Sequence, residues 1–186
     1  VFSTHKLPQV EICLGPEMKS TGEVLGIGKN FREALGKGFA AAGCNISTEP
    51  VRVLLTLNDQ DKKEIGTLVQ KLKDEKIRLH ATEGTRRILL DEGLQAELVE
   101  RISGMHCGKD LPDALDLLRT GAVDLVVNSP TQGHDSARDG FAIRRAAAER
   151  GIPIFTSLDT FTAWLHSKKS QEVYRISQGS GIKIHR

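Results

Sequence analysis

Short apolar runs alternate with amphipathic stretches along most of the chain after residue 50. Five runs rich in β-forming residues predict strands: Val51–Leu57, Ile77–Ala81, Leu98–Ile102, Asp124–Asn128 and Pro153–Thr156. Five stretches with apolar residues at helical spacing predict helices: Asp61–Glu75, Gly84–Asp91, Pro112–Arg119, Gly140–Arg150 and Asp159–His166. Because strands and helices alternate, we expect an α/β fold with a five-stranded, parallel, doubly wound sheet.

The first 50 residues do not share this alternation. Asn30 is a suitable N-cap for a helix that runs from Phe31 to Ala42 and ends before Gly43. The spacing of this helix places three apolar residues on one face: Phe31, Leu35 and Phe39. The residues before Asn30 are loop-like and form no visible core of their own. The chain begins with Val1 rather than Met, on an extended stretch, which indicates a piece of a longer protein.

Composition narrows the classes of partner. The 26 Lys and Arg residues nearly balance the 24 Asp and Glu residues, and the net charge is +2. A nucleic-acid or membrane-surface protein usually carries a clustered basic excess, so neither partner is expected. The sequence contains no apolar run of the roughly 18 to 20 residues that span a bilayer, and no signal peptide. The three cysteines, Cys13, Cys44 and Cys107, lie far apart, which fits a reducing, cytoplasmic location.

Polar residues follow the predicted strands, where doubly wound sheets bind their ligands. After the first strand, Lys62 lies in the first turn of a helix that Asp61 can cap. A lysine there is unfavourable to the helix dipole unless an anion is near. After the second strand, Thr82, Gly84 and Thr85 begin a helix whose backbone N–H groups and neighbouring hydroxyls are suited to binding an anion.

The other strand ends extend this candidate site. Asn128 and Ser129 follow the fourth strand, and Ser157 follows the fifth. Arg101, in the third predicted strand, would add a positive charge at the rim. Each of these residues taken alone is also explained as a surface or capping residue. The convergence of several strand ends on one crevice is what favours a phosphate site.

Motifs of other chemistries are missing from the sequence. It contains no Ser-His-Asp order, Walker A loop or HExxH motif, so we predict no catalytic residue and no metal site. Gly26-Ile-Gly28 does not follow a strand in a βαβ unit, which rejects a dinucleotide site. Several histidines and aspartates are candidates for proton transfer, but their polar surroundings favour solvated residues or helix caps: His106, Asp110, Asp113, His134, Asp135 and Asp139.

The run LGPEMKSTGEVLGIG from Leu14 to Gly28, preceded by Lys6-Leu-Pro8, resembles the end of the second ATP-grasp half of the carbamoyl phosphate synthetase large subunit. The following domain is similar to the methylglyoxal-synthase-like fold in five segments: Asp59–Lys63, Ala81–Thr85, Asp124–Asn128, Ile143–Arg145 and Gly151–Thr156. The resemblance implies three parts: the end of an ATP-grasp domain at 1–45, a methylglyoxal-synthase-like allosteric domain at 50–168 and a polar tail at 169–186.

In that family the domain is regulatory, and the resemblance implies UMP as inhibitor, IMP as activator and ornithine near the ATP-grasp junction. Four positions match the family's phosphate site: Lys62, Thr82, Thr85 and Asn128. Arg101 stands where bacterial members usually have lysine. Pro130 stands near a position that can be threonine, so that hydroxyl contact is lost or moves to Ser129 or Thr131. The segment Ser103–Asp110 is longer than usual, which leaves the identity of the effector open.

The resemblance also implies that catalysis lies elsewhere. The family's ATP-grasp residues would lie upstream of Val1, so this chain is expected to need no cofactor and to be inactive alone. The parent would use ATP, magnesium, bicarbonate and ammonia from a glutaminase small subunit to make carbamoyl phosphate for pyrimidine and arginine synthesis. Domains of this kind often self-associate, so a homo-oligomer is a further expectation.

Two enzymes that share the fold are alternatives. Methylglyoxal synthase eliminates phosphate from dihydroxyacetone phosphate, but its histidine after the first strand is Asn58 here, although Asp59 follows. Its catalytic aspartate, in a Gly-Gly-Asp run, would fall near Leu111, where no such run occurs, so the base for proton abstraction is missing. The cyclohydrolase domain of purine synthesis lacks the GPEMKSTGEV lead-in.

Overall fold

The computed structural model describes residues 24–46, 49–73, 75–102, 111–130 and 139–168. The run before Val24, the segments 103–110 and 131–138, and the tail from residue 169 lie outside the described residues. The expectations placed on those segments, including those for His106, His134 and the polar tail, therefore stay predictions.

Helices and strands alternate through the described residues. The strands are β1 Val51–Thr56, β2 Ile77–Thr82, β3 Glu97–Val99, β4 Leu125–Asn128 and β5 Ile154–Phe155. The helices are α1 Phe31–Ala41, α2 Gly66–Lys73, α3 Glu83–Asp91, α4 Ala114–Arg119, α5 Asp139–Glu149 and α6 Leu158–Ser167. A 3₁₀ turn at Asp61–Glu64 precedes α2.

The five strands form one parallel sheet in the order β3-β2-β1-β4-β5, which confirms the predicted fold class. The register places Leu55 between Ala81 of β2 and Val127 of β4. Along the chain, β2 and β3 are added on one side of β1, and β4 and β5 are then added on its other side. The switch point therefore lies between β1 and β4, where such sheets open a crevice at their carboxyl ends.

Each face of the sheet has its own core. One core contains Leu55, Leu79, Val127 and Phe155 of the strands, with residues of α2, α3 and α6 such as Leu68, Leu89 and Trp164. The other contains Leu54 and Val126, with residues of α4 and α5 such as Leu118 and Ala147. Strands covered on both faces explain the nearly continuous apolar runs in the sequence.

The helix predicted over Asp61–Glu75 differs at its start. The chain first makes the 3₁₀ turn at Asp61–Glu64 and becomes α-helical only at Gly66. The prediction that Asp61 caps this helix is wrong. The Oδ1 atom of Asn58 accepts hydrogen bonds from the backbone amides of Gln60 and Asp61, at 2.9 Å each, so Asn58 fixes the turn.

The third strand is shorter and begins earlier than the predicted Leu98–Ile102. Glu97 pairs with His80 and Val99 pairs with Thr82. The amide of Glu100 then donates to the carbonyl of Pro112 at 3.1 Å, which draws the chain away from β2. Arg101 therefore follows the strand, whereas the sequence pattern placed it within the strand.

Helix α1 packs on the α/β domain. Asn30 caps it by accepting a hydrogen bond from the amide of Glu33, and Gly43 follows with a φ of 91° that favours glycine. The ring of Phe39 meets Phe155 edge to face at 5.7 Å, and the Trp164 indole donates to the Cys44 carbonyl at 3.2 Å. Phe31, at the start of α1, is 80% exposed and does not share in this packing.

Candidate functional site

The loops after β1 and β4 are joined at the switch point. The backbone amide of Asn58 donates to the Ser129 hydroxyl at 2.8 Å, and its side-chain amide donates to the Pro130 carbonyl at 3.0 Å. The amide of Ser129 in turn donates to the Thr56 carbonyl at 3.1 Å. Ser129 is buried, and its hydroxyl keeps a proton that it can donate.

Helix α3 begins beside this junction. Thr85 is fully buried, and its hydroxyl oxygen accepts a hydrogen bond from the Leu57 amide at 3.1 Å, which ties α3 to the end of β1. Thr82 occupies the N-cap position, but among the residues described its side chain makes no capping hydrogen bond. The Thr82 side chain therefore does not occupy the first-turn amides of α3. A helix start that binds an anion needs such amides to donate to the anion.

Lys62 reaches the start of α3 from the 3₁₀ turn. A β-carbon built on Gly84 would lie 3.2 Å from its ammonium nitrogen, so the ammonium lies against the first turn of the helix. The same nitrogen donates to Asp59 at 2.6 Å, and this hydrogen bond lowers the pKa of the Asp59 carboxyl. A cation at a helix N-terminus is electrostatically unfavourable, and an anion bound between them would remove the repulsion.

The β4 side of the site is a buried polar network. Asn128 is 3% exposed, and its Nδ2 atom donates to the Thr56 hydroxyl at 2.5 Å. Its Oδ1 atom accepts a hydrogen bond from Arg144 of α5, itself buried. Gly140 lies against both side chains, since an added β-carbon would come within 3.1 Å of Arg144 and 3.3 Å of Asn128.

Sequence reasoning missed Thr56 and Arg144. The available signal was spacing, because Arg144 follows Gly140 by four residues and precedes Ala147 by three, so one helix face carries all three. That face is otherwise made of small and apolar residues. An arginine on such a face indicates a buried polar partner.

Arg101 is an exposed residue that follows β3. Its side chain is 73% exposed, and its Nε atom lies 3.6 Å from Oδ2 of Asp139, whose side chain is 17% exposed. The pair joins the end of β3 to the start of α5. The Arg101 guanidinium thus stands next to a carboxylate, and its role at a phosphate site stays a prediction.

Other candidates from the sequence serve as helix caps. The Ser157 hydroxyl accepts from the Asp159 amide at 3.2 Å at the start of α6. Asp113 caps α4 within a capping box formed with Asp116.

Within the described ranges, no group of three or more His, Cys, Asp or Glu side chains could hold a metal ion. None of the helices in those ranges combines the length and apolar composition needed to cross a bilayer.

Comparison with known proteins shows which family the chain resembles. Residues 64–156, half of the chain, match the family model of the MGS-like domain. The chain is also 47% identical over 171 residues to the carbamoyl phosphate synthase large chain of Clostridium botulinum strain Loch Maree, and this match covers 92% of the present chain. The corresponding proteins of Clostridium beijerinckii and Clostridium perfringens strain 13 are each 47% identical, over 88% and 91% of this chain.

The chain spans 15–16% of the length of these relatives. The resemblance to the carbamoyl phosphate synthase large chain and to its methylglyoxal-synthase-like domain is confirmed by these matches. Thr82, Thr85, Arg101 and Asn128 all fall within the matched residues, and Lys62 lies two residues before them. The chain therefore belongs to the family of MGS-like domains.

Proposed function

We propose that this chain is the effector-binding, regulatory part of a carbamoyl phosphate synthase large chain. Its strand-end crevice binds the phosphate of a nucleoside monophosphate of the UMP or IMP type. The observation that carries the proposal is the Lys62 ammonium at the start of α3, where Thr82 leaves the first-turn amides uncapped. A phosphate there receives charge and hydrogen bonds together.

The remaining site residues supply donors around the same point. The hydroxyls of Thr82, Thr85 and Ser129 can each donate a hydrogen bond. The Asn128 amide has a second N–H beyond the one that donates to Thr56. Arg101 can turn from Asp139 toward the phosphate, because its side chain is mostly exposed. Gly84 keeps the helix start free of a side chain, so an anion can approach the backbone.

In the parent protein, we propose that effector binding shifts the balance between more and less active states. The parent would make carbamoyl phosphate from bicarbonate, two ATP and ammonia supplied by a glutaminase subunit. An effector acts only through different affinities for the two states, with a typical coupling of about 1–3 kcal/mol. Ornithine would bind near the junction with the preceding ATP-grasp half, and a homo-oligomer remains a further expectation.

Calorimetric titration of the 186-residue chain with UMP, IMP and ornithine tests the proposal. We expect at least one nucleotide to bind in the micromolar range, at about −8 kcal/mol or weaker. Circular dichroism recorded on the same sample verifies that the fold is intact. A folded chain that releases or absorbs no heat with either nucleotide would overturn the nucleotide assignment.

The alternative of methylglyoxal synthase is not favoured. Asn58, at the position of that enzyme's histidine, is a neutral amide, and its side chain is used within the turn and toward Pro130. An amide cannot act as the base that the elimination of phosphate needs. Incubation with dihydroxyacetone phosphate should therefore yield no methylglyoxal above the uncatalysed background, and a yield proportional to the chain's concentration would revive this alternative.

A further inference from the structure

Arg144 lies within the fold next to the candidate site, where its guanidinium contacts the Asn128 amide. It is 5% exposed, and its Nη1 atom donates to Oδ1 of Asn128. We propose that Arg144 is a positioning residue that holds the Asn128 amide with an N–H group available to the phosphate of the ligand. The inference rests on the proposed function, because it concerns the donors of that same phosphate site.

The orientation of the Asn128 amide follows from what each group around it can donate and accept. A guanidinium carries only N–H donors, so the end of the Asn128 amide that faces Arg144 must be the oxygen. The NH₂ end then points the other way, and one of its hydrogens goes to the Thr56 hydroxyl. The second hydrogen is the one that a bound phosphate can use.

Without Arg144 the two ends of the amide would be close to equivalent. Oxygen and NH₂ have nearly the same shape, so only the hydrogen-bond partners decide the orientation of the side chain. A flipped Asn128 would turn its carbonyl oxygen toward an anion and repel it. The buried arginine therefore sets whether this side of the crevice offers a donor or an acceptor.

Gly140 provides an independent way to disturb this contact. A β-carbon at this position would lie 3.1 Å from Nη1 of Arg144 and 3.3 Å from Oδ1 of Asn128, closer than ordinary van der Waals contact. Gly66, at the first position of α2, is the matched control, since no described atom lies within 4 Å of an added β-carbon there. Both glycines stand at the start of a helix on the same sheet.

Titration of the 186-residue chain with UMP and with inorganic phosphate tests the proposal. Arg144→Met should weaken UMP binding about tenfold or more, the usual effect of an unsatisfied polar contact. Arg144→Gln and Arg144→Lys, which keep a donor, should recover much of this loss. Gly140→Ala should weaken binding while Gly66→Ala should not, which keeps the test valid if Arg144→Met does not fold.

A double-mutant cycle distinguishes positioning from a direct effect of charge. If Arg144 acts through Asn128, then Arg144→Met should change UMP affinity little in a chain that already carries Asn128→Ala. An equal loss in both backgrounds, or a loss that neither Gln nor Lys recovers, would overturn the inference. If the wild-type chain binds neither UMP nor phosphate, the proposed function falls with it, whereas tight binding by both wild type and Arg144→Met removes this inference alone.

Discussion

The two sides of the candidate site are built from the same kinds of groups but differ in burial. On the α3 side, Lys62 and Thr82 are only partly buried, and the ammonium lies over an uncapped helix start. On the β4 side, Thr56, Asn128 and Arg144 are at most 8% exposed and are hydrogen-bonded in series. The α3 side offers a positive charge from a partly exposed side chain. The β4 side fixes, by buried hydrogen bonds, which way the N–H groups of Asn128 point.

This difference predicts which changes separate binding from folding. A partly exposed side chain can be removed with little loss of packing, so its loss acts mainly on the ligand. A buried hydrogen-bonding group leaves its partner unsatisfied when it is removed, so its loss acts on the fold as well. Four predictions test this separation.

The largest expected effect is on the α3 side. Lys62→Ala combined with Thr82→Ala should weaken UMP binding by about 2–4 kcal/mol, since a charge-assisted and a neutral hydrogen bond are lost together. The free energy of unfolding should stay within about 0.5 kcal/mol of wild type. Calorimetry and urea denaturation measure the two quantities.

Lys63→Ala is the matched control for this double variant, because Lys63 is an exposed lysine of the same 3₁₀ turn. It should leave both UMP affinity and stability unchanged. An unchanged affinity in the double variant would place the phosphate elsewhere. A parallel fall in stability would show that the α3 side is not separable from the fold.

Thr85 and Thr82 offer the next comparison, because they stand three residues apart at the start of one helix. Thr85→Val removes the acceptor of the buried Leu57 amide and should lower the free energy of unfolding by about 1–3 kcal/mol. Thr82→Val should lower it far less, since no capping hydrogen bond from this side chain occurs in the described part of the chain. Urea denaturation of both variants gives the answer, and equal losses would contradict the distinction.

The contrast also explains how much the sequence could predict. The central strands β1 and β4 were predictable because both are covered on both faces and therefore read as apolar runs, whereas the edge strand β3 was predicted at the wrong position. The site could be placed at the strand ends because parallel topology brings those ends to one edge. Lys62, Thr82, Thr85, Asn128 and Ser129 do lie there, but their binding of phosphate stays a prediction.

What the sequence could not predict depends on side-chain partners across the fold. The turn after β1 is fixed by Asn58 and not by Asp61, because both residues fit a capping position and only the folded chain selects one. The predicted helix Gly140–Arg150 contains Arg144, Arg145 and Arg150, and its pattern alone does not show which of them is buried. The buried partner of Arg144 is Asn128 of β4, which lies 16 residues earlier in the sequence.

The third prediction concerns His80, a buried polar residue of β2. It is 6% exposed on the face that carries Leu54, its Nδ1 atom lies 3.3 Å from Glu97, and within the described residues its Nε2 atom has no hydrogen-bond partner. Burial lowers the pKa of His80, opposed by the charge of Glu97 and aided by Arg78 and Arg52. The unfolded chain therefore binds this proton more readily than the folded chain does.

Stability should consequently be lost as the pH falls below about 6.5, the ordinary pKa of histidine, toward the lower pKa of the folded state. Urea denaturation at pH 7.5 and pH 5.5 measures the loss, and the same pair of measurements on His80→Asn isolates this group from the other titrating residues. The variant should lose less stability than wild type over this interval. An equal loss would show that His80 does not carry the pH dependence.

The smallest expected effect returns to the exposed side. Asp59 is 95% exposed, and its carboxylate lies 2.6 Å from the Lys62 ammonium. A bound phosphate must therefore share this ammonium with Asp59 or displace the carboxylate from it. Asp59→Asn should strengthen UMP binding, though by no more than about fivefold, because solvent already screens an exposed ion pair. Asp59→Glu keeps the charge and should bind UMP as wild type does. Since salt screens such pairs further, the gain from Asp59→Asn should shrink in about 0.5 M salt. A gain that persists undiminished there would mean that Asp59 hinders the ligand by shape and not by competing for Lys62.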